Sequence, residues 1–139
     1  MPLVGGGGSP NVAGGGNPAG TGSNFNYIGD HVYLNTGRVD FDGSETTVVE
    51  ATTGNEYIVG KLTCATEADG SDDVRIRLYY NNQQVMGDLS TSPPGTGNLA
   101  FNPLRVIIPP YTKVKITYDN EGSSSTLTSL TMIVGRIYA

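Results

Sequence analysis

Apolar residues recur along this chain with a period of two and never of 3.6, as expected of strands whose alternate side chains face a core. The pattern predicts eight strands. His31 to Phe41 is the first, and its apolar set changes parity between Val32 and Leu34 on one side and Val39 and Phe41 on the other, which predicts a bulge near Gly37. Thr46 to Thr52 follows through the turn at Asp42 and Gly43. Glu56 to Thr66 is third, with Ile58, Leu62 and Cys64 on one face and Lys61 and Thr63 on the other, so Cys64 reads as a buried, unreactive core thiol. Val74 to Tyr80 alternates cleanly, setting Val74, Ile76, Leu78 and Tyr80 inward and Arg75, Arg77 and Tyr79 outward. A weak fifth strand, Gln83 to Leu89, is entered through Asn81 and Asn82 and left through a turn-rich loop from Ser90 to Asn98. Leu104 to Ile108 is stopped by Pro109-Pro110, which cannot donate ladder hydrogen bonds. Thr112 to Tyr118 places Val114, Ile116 and Tyr118 inward, and Leu127 to Tyr138 reads as a final strand paired on both sides.

Eight such strands without a helix predict an all-β fold, a single eight-stranded jelly-roll-like β-sandwich built from two Greek keys. The first and last strands would then be neighbours in the middle of one sheet. An up-and-down barrel is the alternative, and the unequal loop lengths favour the jelly roll. The strands occupy a domain of residues 25–139, preceded by an extended Gly-rich arm of residues 1–24. That arm carries no charged side chain and has nine glycines, with runs at Gly5 to Gly8 and Gly14 to Gly16. Ordering it costs on the order of 24 kcal/mol in backbone entropy. Leu3, Val4, Val12, Ala13 and Ala19 cannot offset that alone, so the arm reads as an assembly element that orders against a neighbour.

Charge and length then exclude several classes. With 139 residues and a net charge of -5, the chain is one acidic domain. Its scattered basic residues argue against nucleic acid, since phosphate contacts need clustered Lys and Arg. The pairs Arg75 with Arg77 and Lys113 with Lys115 sit at strand spacing and read as solvated faces. One cysteine rules out an intrachain disulfide framework and a cysteine zinc cluster. No apolar run approaches the roughly 18 residues of a membrane span, so no membrane is expected. The start Met1-Pro2-Leu3-Val4-Gly5 lacks the charge and apolar core of a secretory signal, which points to synthesis in a cytoplasm.

The Gly-rich arm, the strand Tyr57-Ile58-Val59-Gly60-Lys61-Leu62, the corner from Ile107 through Pro109-Pro110-Tyr111 to Ile116, and the terminal Val134-Gly135-Arg136-Ile137-Tyr138 together give the chain a likeness. From Asp30 to Ala139 it resembles the single jelly-roll structural proteins of icosahedral viruses and phages, including capsid decoration (cement) and vertex proteins. The resemblance implies a virion component on the capsid surface, made in a host cytoplasm. It implies a major capsid protein or other virion subunits as partners, and a homotrimer at local threefold positions as the oligomer. The chain departs from genome-packing coat proteins, whose arms are typically basic. Its neutral arm and short length favour decoration over shell formation.

Catalytic chemistry finds little support. His31 is the only histidine, which excludes a two-histidine metal site, and no Gly-x-Ser-x-Gly element exposes a nucleophile. Asp40 and Asp42 share strand parity, but acid-base work needs one of them desolvated, against the exposed turn that follows. The chain is therefore read as non-enzymatic, with no catalytic residue, no cofactor, no small-molecule substrate and no assigned metal site. Four carboxylates between Glu67 and Asp73 could supply oxygens to calcium, yet the spacing is not that of an EF-hand, and a solvated turn is the favoured reading. The alternative function is a receptor- or glycan-binding head using Tyr27, Tyr33, Tyr79 and Tyr111, weakened by the absence of tryptophan.

Overall fold

The structure is a computed structural model that describes residues 25–67, 72–91, 98–121 and 123–139. The arm of residues 1–24 lies outside the described residues, as do positions 68–71 of the acidic loop and 92–97 of the turn-rich loop. Eleven strands are formed in chain order: β1 (Asn26–Ile28), β2 (His31–Asn35), β3 (Val39–Phe41), β4 (Thr46–Thr52), β5 (Tyr57–Glu67) and β6 (Asp73–Tyr80), then β7 (Gln83–Thr91), β8 (Asn98–Ala100), β9 (Leu104–Ile108), β10 (Lys113–Asn120) and β11 (Leu127–Tyr138).

Two antiparallel sheets pack face to face. In the first, β11 is central, pairing on one side with β2 and β3 and on the other with β5, whose far edge carries β8 and β9; β1 extends the sheet beyond β2. The second has the order β4-β10-β6-β7. Counting β2 and β3 as one bent strand and setting aside the short β1 and β8, the sheets run first-last-third-sixth and second-seventh-fourth-fifth. That is the jelly-roll order. A meander would pair sequence neighbours throughout, and the β4 to β5 and β9 to β10 connections cross between sheets instead.

The break between β2 and β3 is the bulge that the parity change predicts. The step from Asn35 to Val39 faces the shorter step from Met132 to Ser129, and Gly37 takes the left-handed φ of 67° that turns the strand. Asn81 and Asn82 form the tight β6 to β7 turn with φ of 51° and 68°, a conformation asparagine tolerates better than most residues. Strands β1 and β8, three residues each, were not legible in the pattern.

The core lies between the sheets. Leu34, Phe41, Ile58, Leu62, Ile76, Ile116 and Ile133 are buried there, and Cys64 is buried with them at 5% exposure. A polar link crosses this core between the sheets. The Tyr118 hydroxyl lies 2.7 Å from Thr131 Oγ1, and its ring packs on Phe41 with centroids 5.2 Å apart. Burial, and then the Cys64 thiol, push the phenol far above its usual range. Tyr118→Phe is expected to cost about 1 to 2 kcal/mol, because it strands the Thr131 hydroxyl in the core. Urea unfolding checks this, and an unchanged midpoint would mean the link contributes nothing net.

Candidate functional site

Strand β11 is turned in an unexpected sense. Its inward row begins with Ser129 and Thr131, while its outward row is Leu130, Met132 and Val134, exposed to 46%, 41% and 49%. These two hydroxyls are admitted to the interior because each finds a partner, that of Thr131 in Tyr118. Ser129 Oγ donates to the Val39 carbonyl at 2.9 Å, and the Thr131 amide donates to Thr36 Oγ1 at 3.1 Å. The apolar outward row has no such compensation.

Neighbouring strands extend the outward row into a face. Cross-strand register sets Tyr33, Val134, Lys61 and Arg105 side by side, and beside them His31, Arg136, Val59 and Ile107. Tyr57 and Tyr138 stack at one end, with centroids 5.4 Å apart. Of the eight large hydrophobic side chains exposed among the described residues, six lie on the outward side of this sheet: Ile28, Ile107, Leu130, Met132, Val134 and Tyr138. Single exposed hydrophobics are ordinary, whereas a grouping of them on one face is a feature shared with binding surfaces.

A concavity indents this face. Gly60 and Gly135 oppose each other in the β5 to β11 ladder, and the strands approach so closely that a Cβ on Gly135 would stand 2.6 Å from Gly60 Cα. The hollow is about 350 Å³, flanked by Val59, Val134, Lys61 and Arg105. Among the described residues neither cation makes an ion pair, unlike Arg136, which pairs with Asp30. The face thus combines an apolar row with two unneutralised cations, and suits an apolar surface carrying carboxylates.

The outward side of the other sheet is built differently. Arg77 pairs with Asp119 at 2.5 Å and reaches Glu121, which Arg75 also holds. Glu45 accepts from Tyr79 at 2.6 Å and Thr117 at 2.7 Å, bonds that hold its carboxyl below the usual range, and Lys115 sits 4.7 Å over the Tyr79 ring. This network corrects the reading of Arg75 and Arg77 as a merely solvated face. The Arg77 side chain is 21% exposed and that of Asp119 only 7%, and the second Asp119 oxygen has no hydrogen-bond partner.

The residues singled out from the sequence are dispersed. His31 is exposed beside Asp30, and Cys64 lies in the core on the far side of the sheet. Asp40 accepts from Thr128, while Asp42 closes its own turn by accepting from the Ser44 amide; both are exposed. Of the acidic loop, Glu67 is exposed, whereas Asp72 is buried and accepts from Asn120 Nδ2 at 2.8 Å and Ser123 Oγ at 3.2 Å. A solvated turn is therefore the wrong description of Asp72, which ties the β5 to β6 connection to the end of β10. Among the described residues no group of three His, Cys, Asp or Glu could hold a metal, and no helix is long and apolar enough to cross a membrane.

The four tyrosines form no platform. Tyr27 packs against the core, Tyr33 and Tyr79 belong to opposite outer faces, and Tyr111, 71% exposed, stands at the proline corner with a φ of 53°. The aromatic pair on the outer face, Tyr57 with Tyr138, required knowing that β5 and β11 are neighbours.

No protein-family profile matches the sequence, and no curated protein matches it. Among solved structures, the chain is similar to one in the structure of infectious bursal disease virus Gx strain, with 12% identity and a TM-score of 0.42 over 76% of this chain and 31% of that one. The infectious bursal disease virus VP2 subviral particle gives 15% identity and a TM-score of 0.39, with 76% and 32% covered. An exo-β-1,3-galactanase from Phanerochaete chrysosporium, solved with galactose, gives 15% and 0.35, with 78% and 30% covered. The chain spans about a third of the length of each.

Proposed function

We propose that this chain is a non-enzymatic structural component of a virion, a capsid decoration protein that bridges neighbouring capsid subunits through its arm and through contacts between copies. The observation that carries the reading is the orientation of β11, which spends inward positions on Ser129 and Thr131 and presents Leu130, Met132 and Val134 to the outside. A strand so turned in the middle of a sheet is suited to a covered surface. The jelly-roll strand order and the pattern resemblance supply the virion context. The uncharged arm precedes β1, at the edge of the same sheet, and can span up to about 80 Å when extended, enough to reach a neighbouring subunit.

Sizing by light scattering tests this. The full chain is expected to be a trimer, and Leu130→Asp with Met132→Asp is expected to be a folded monomer, since exposed sites rarely cost more than about 0.5 kcal/mol. Deleting residues 1–24 should leave the melting temperature nearly unchanged and weaken attachment to the particle. A full chain that stays monomeric at high concentration, with the double variant indistinguishable from it, would remove the basis for assembly.

A second reading, a receptor- or glycan-binding head, is favoured by the stacked Tyr57 and Tyr138 pair. Glycan binding lost in Tyr138→Ala would support it over the first.

A further inference from the structure

A cavity of about 300 Å³ opens between the two sheets where β7 and β9 form their free edges. Its floor is Leu62, Ile76 and Cys64, all buried, and Phe101, Met86 and Leu104 form its walls. The rim is exposed, with Asn102 contributing the polar group there. Depth, apolar walls and an exposed mouth are the general properties of a small-molecule site.

Water is a poor occupant. A water held against the apolar floor needs two to four polar partners to be well bound. The lining offers the Cys64 thiol, already engaged with the Tyr118 phenol, and the amide at the rim. Left empty, every wall lacks atoms to pack against. A cavity of about 150 Å³ accepts benzene, so twice that volume suits a molecule of about eight to twelve non-hydrogen atoms. Among the described residues the lining carries no fixed charge, which favours an uncharged ligand. We propose that this gap is a binding site for a small neutral apolar molecule, an alkyl chain or fused ring ending in one hydrogen-bonding group that meets Asn102.

1-Octanol serves as the probe, added to the full chain while methyl resonances are followed by NMR. Saturable shifts are expected at Leu62, Ile76, Met86 and Leu104, with Val49 and Val114, elsewhere in the core, unmoved. Methyl methanethiosulfonate, unlike a bulky thiol reagent, is small enough to reach Cys64 through the gap, and saturating 1-octanol should slow that reaction at least fivefold, while octanoate should compete poorly. Leu104→Trp, which fills the gap from its wall, should abolish both responses while keeping the methyl spectrum of the distant core. Should that variant fail to fold, Met86→Phe tests the same point from the opposite sheet. Shifts that grow linearly up to the solubility of the probe, or that are spread equally over the core, would overturn the site, as would an unprotected thiol at saturation.

Discussion

Gly135→Ala is expected to destabilise the sandwich by about 3 kcal/mol, the upper part of the range for overpacked positions. The sign is informative, because alanine in place of glycine inside a strand ordinarily gains about 0.5 to 1 kcal/mol. Here the added Cβ would meet the Val59 carbonyl oxygen and lie 2.6 Å from Gly60 Cα, while a Cβ on Gly60 would stand 2.6 Å from the Val134 oxygen. These are backbone atoms of the partner strand and cannot rotate away. Relief requires β5 and β11 to separate along the ladder that joins Tyr57–Tyr138 to Thr66–Ser129. Gly54→Ala, where the added Cβ meets nothing within 4 Å, is the control and should stay within about 0.5 kcal/mol of the parent. Chemical denaturation of both decides the matter. Equal midpoints would show that the close approach carries no strain.

Arg77→Ala is expected to cost about 3 kcal/mol, as much as Leu78→Ala, the core residue beside it, for which emptied sites give roughly 2 to 5 kcal/mol. The two losses differ in kind. Leu78→Ala leaves a void, whereas Arg77→Ala leaves the Asp119 carboxylate buried without the guanidinium that faces it, and one of its oxygens already has no hydrogen-bond partner. Partial exposure of Arg77 and the nearby Arg75 keep the figure at the lower end of that seen for broken buried pairs. If the carboxylate's charge is the cause, Asp119→Asn in the Arg77→Ala background should recover more than half of the loss. A loss that persists in the double variant would assign the effect to packing of the arginine stem instead.

The jelly roll was legible because Val74, Ile76 and Leu78, and likewise Val114 and Ile116, alternate without exception, and parity is a local property of the sequence. The Gly37 bulge was legible for the same reason. Strands β1 and β8 were not, since three residues carry too short a period to register. The outer face was hidden by β11 itself, where hydroxyls and aliphatics share both rows and only the neighbours Val39, Thr36 and Tyr118 explain which row is inside. Arg77 was misjudged because its partner lies 42 positions away and becomes adjacent only through the β6 to β10 register. Val59-Gly60-Lys61 and Val134-Gly135-Arg136 did announce a repeated small residue, but that they oppose each other is a fact of pairing.

The central place of β11 also sets the order of events during synthesis. Strands β2, β3 and β5 leave the ribosome with their ladder edges open, and β2 waits about 5 to 20 s, at ordinary elongation rates, for the strand that closes it. A sheet whose middle member is made last cannot fold progressively from its beginning, so long-range closure governs the rate. The same strand carries Leu130, Met132 and Val134. That row therefore does not exist until β11 is in place, so any contact made through it can form only after the sandwich has closed.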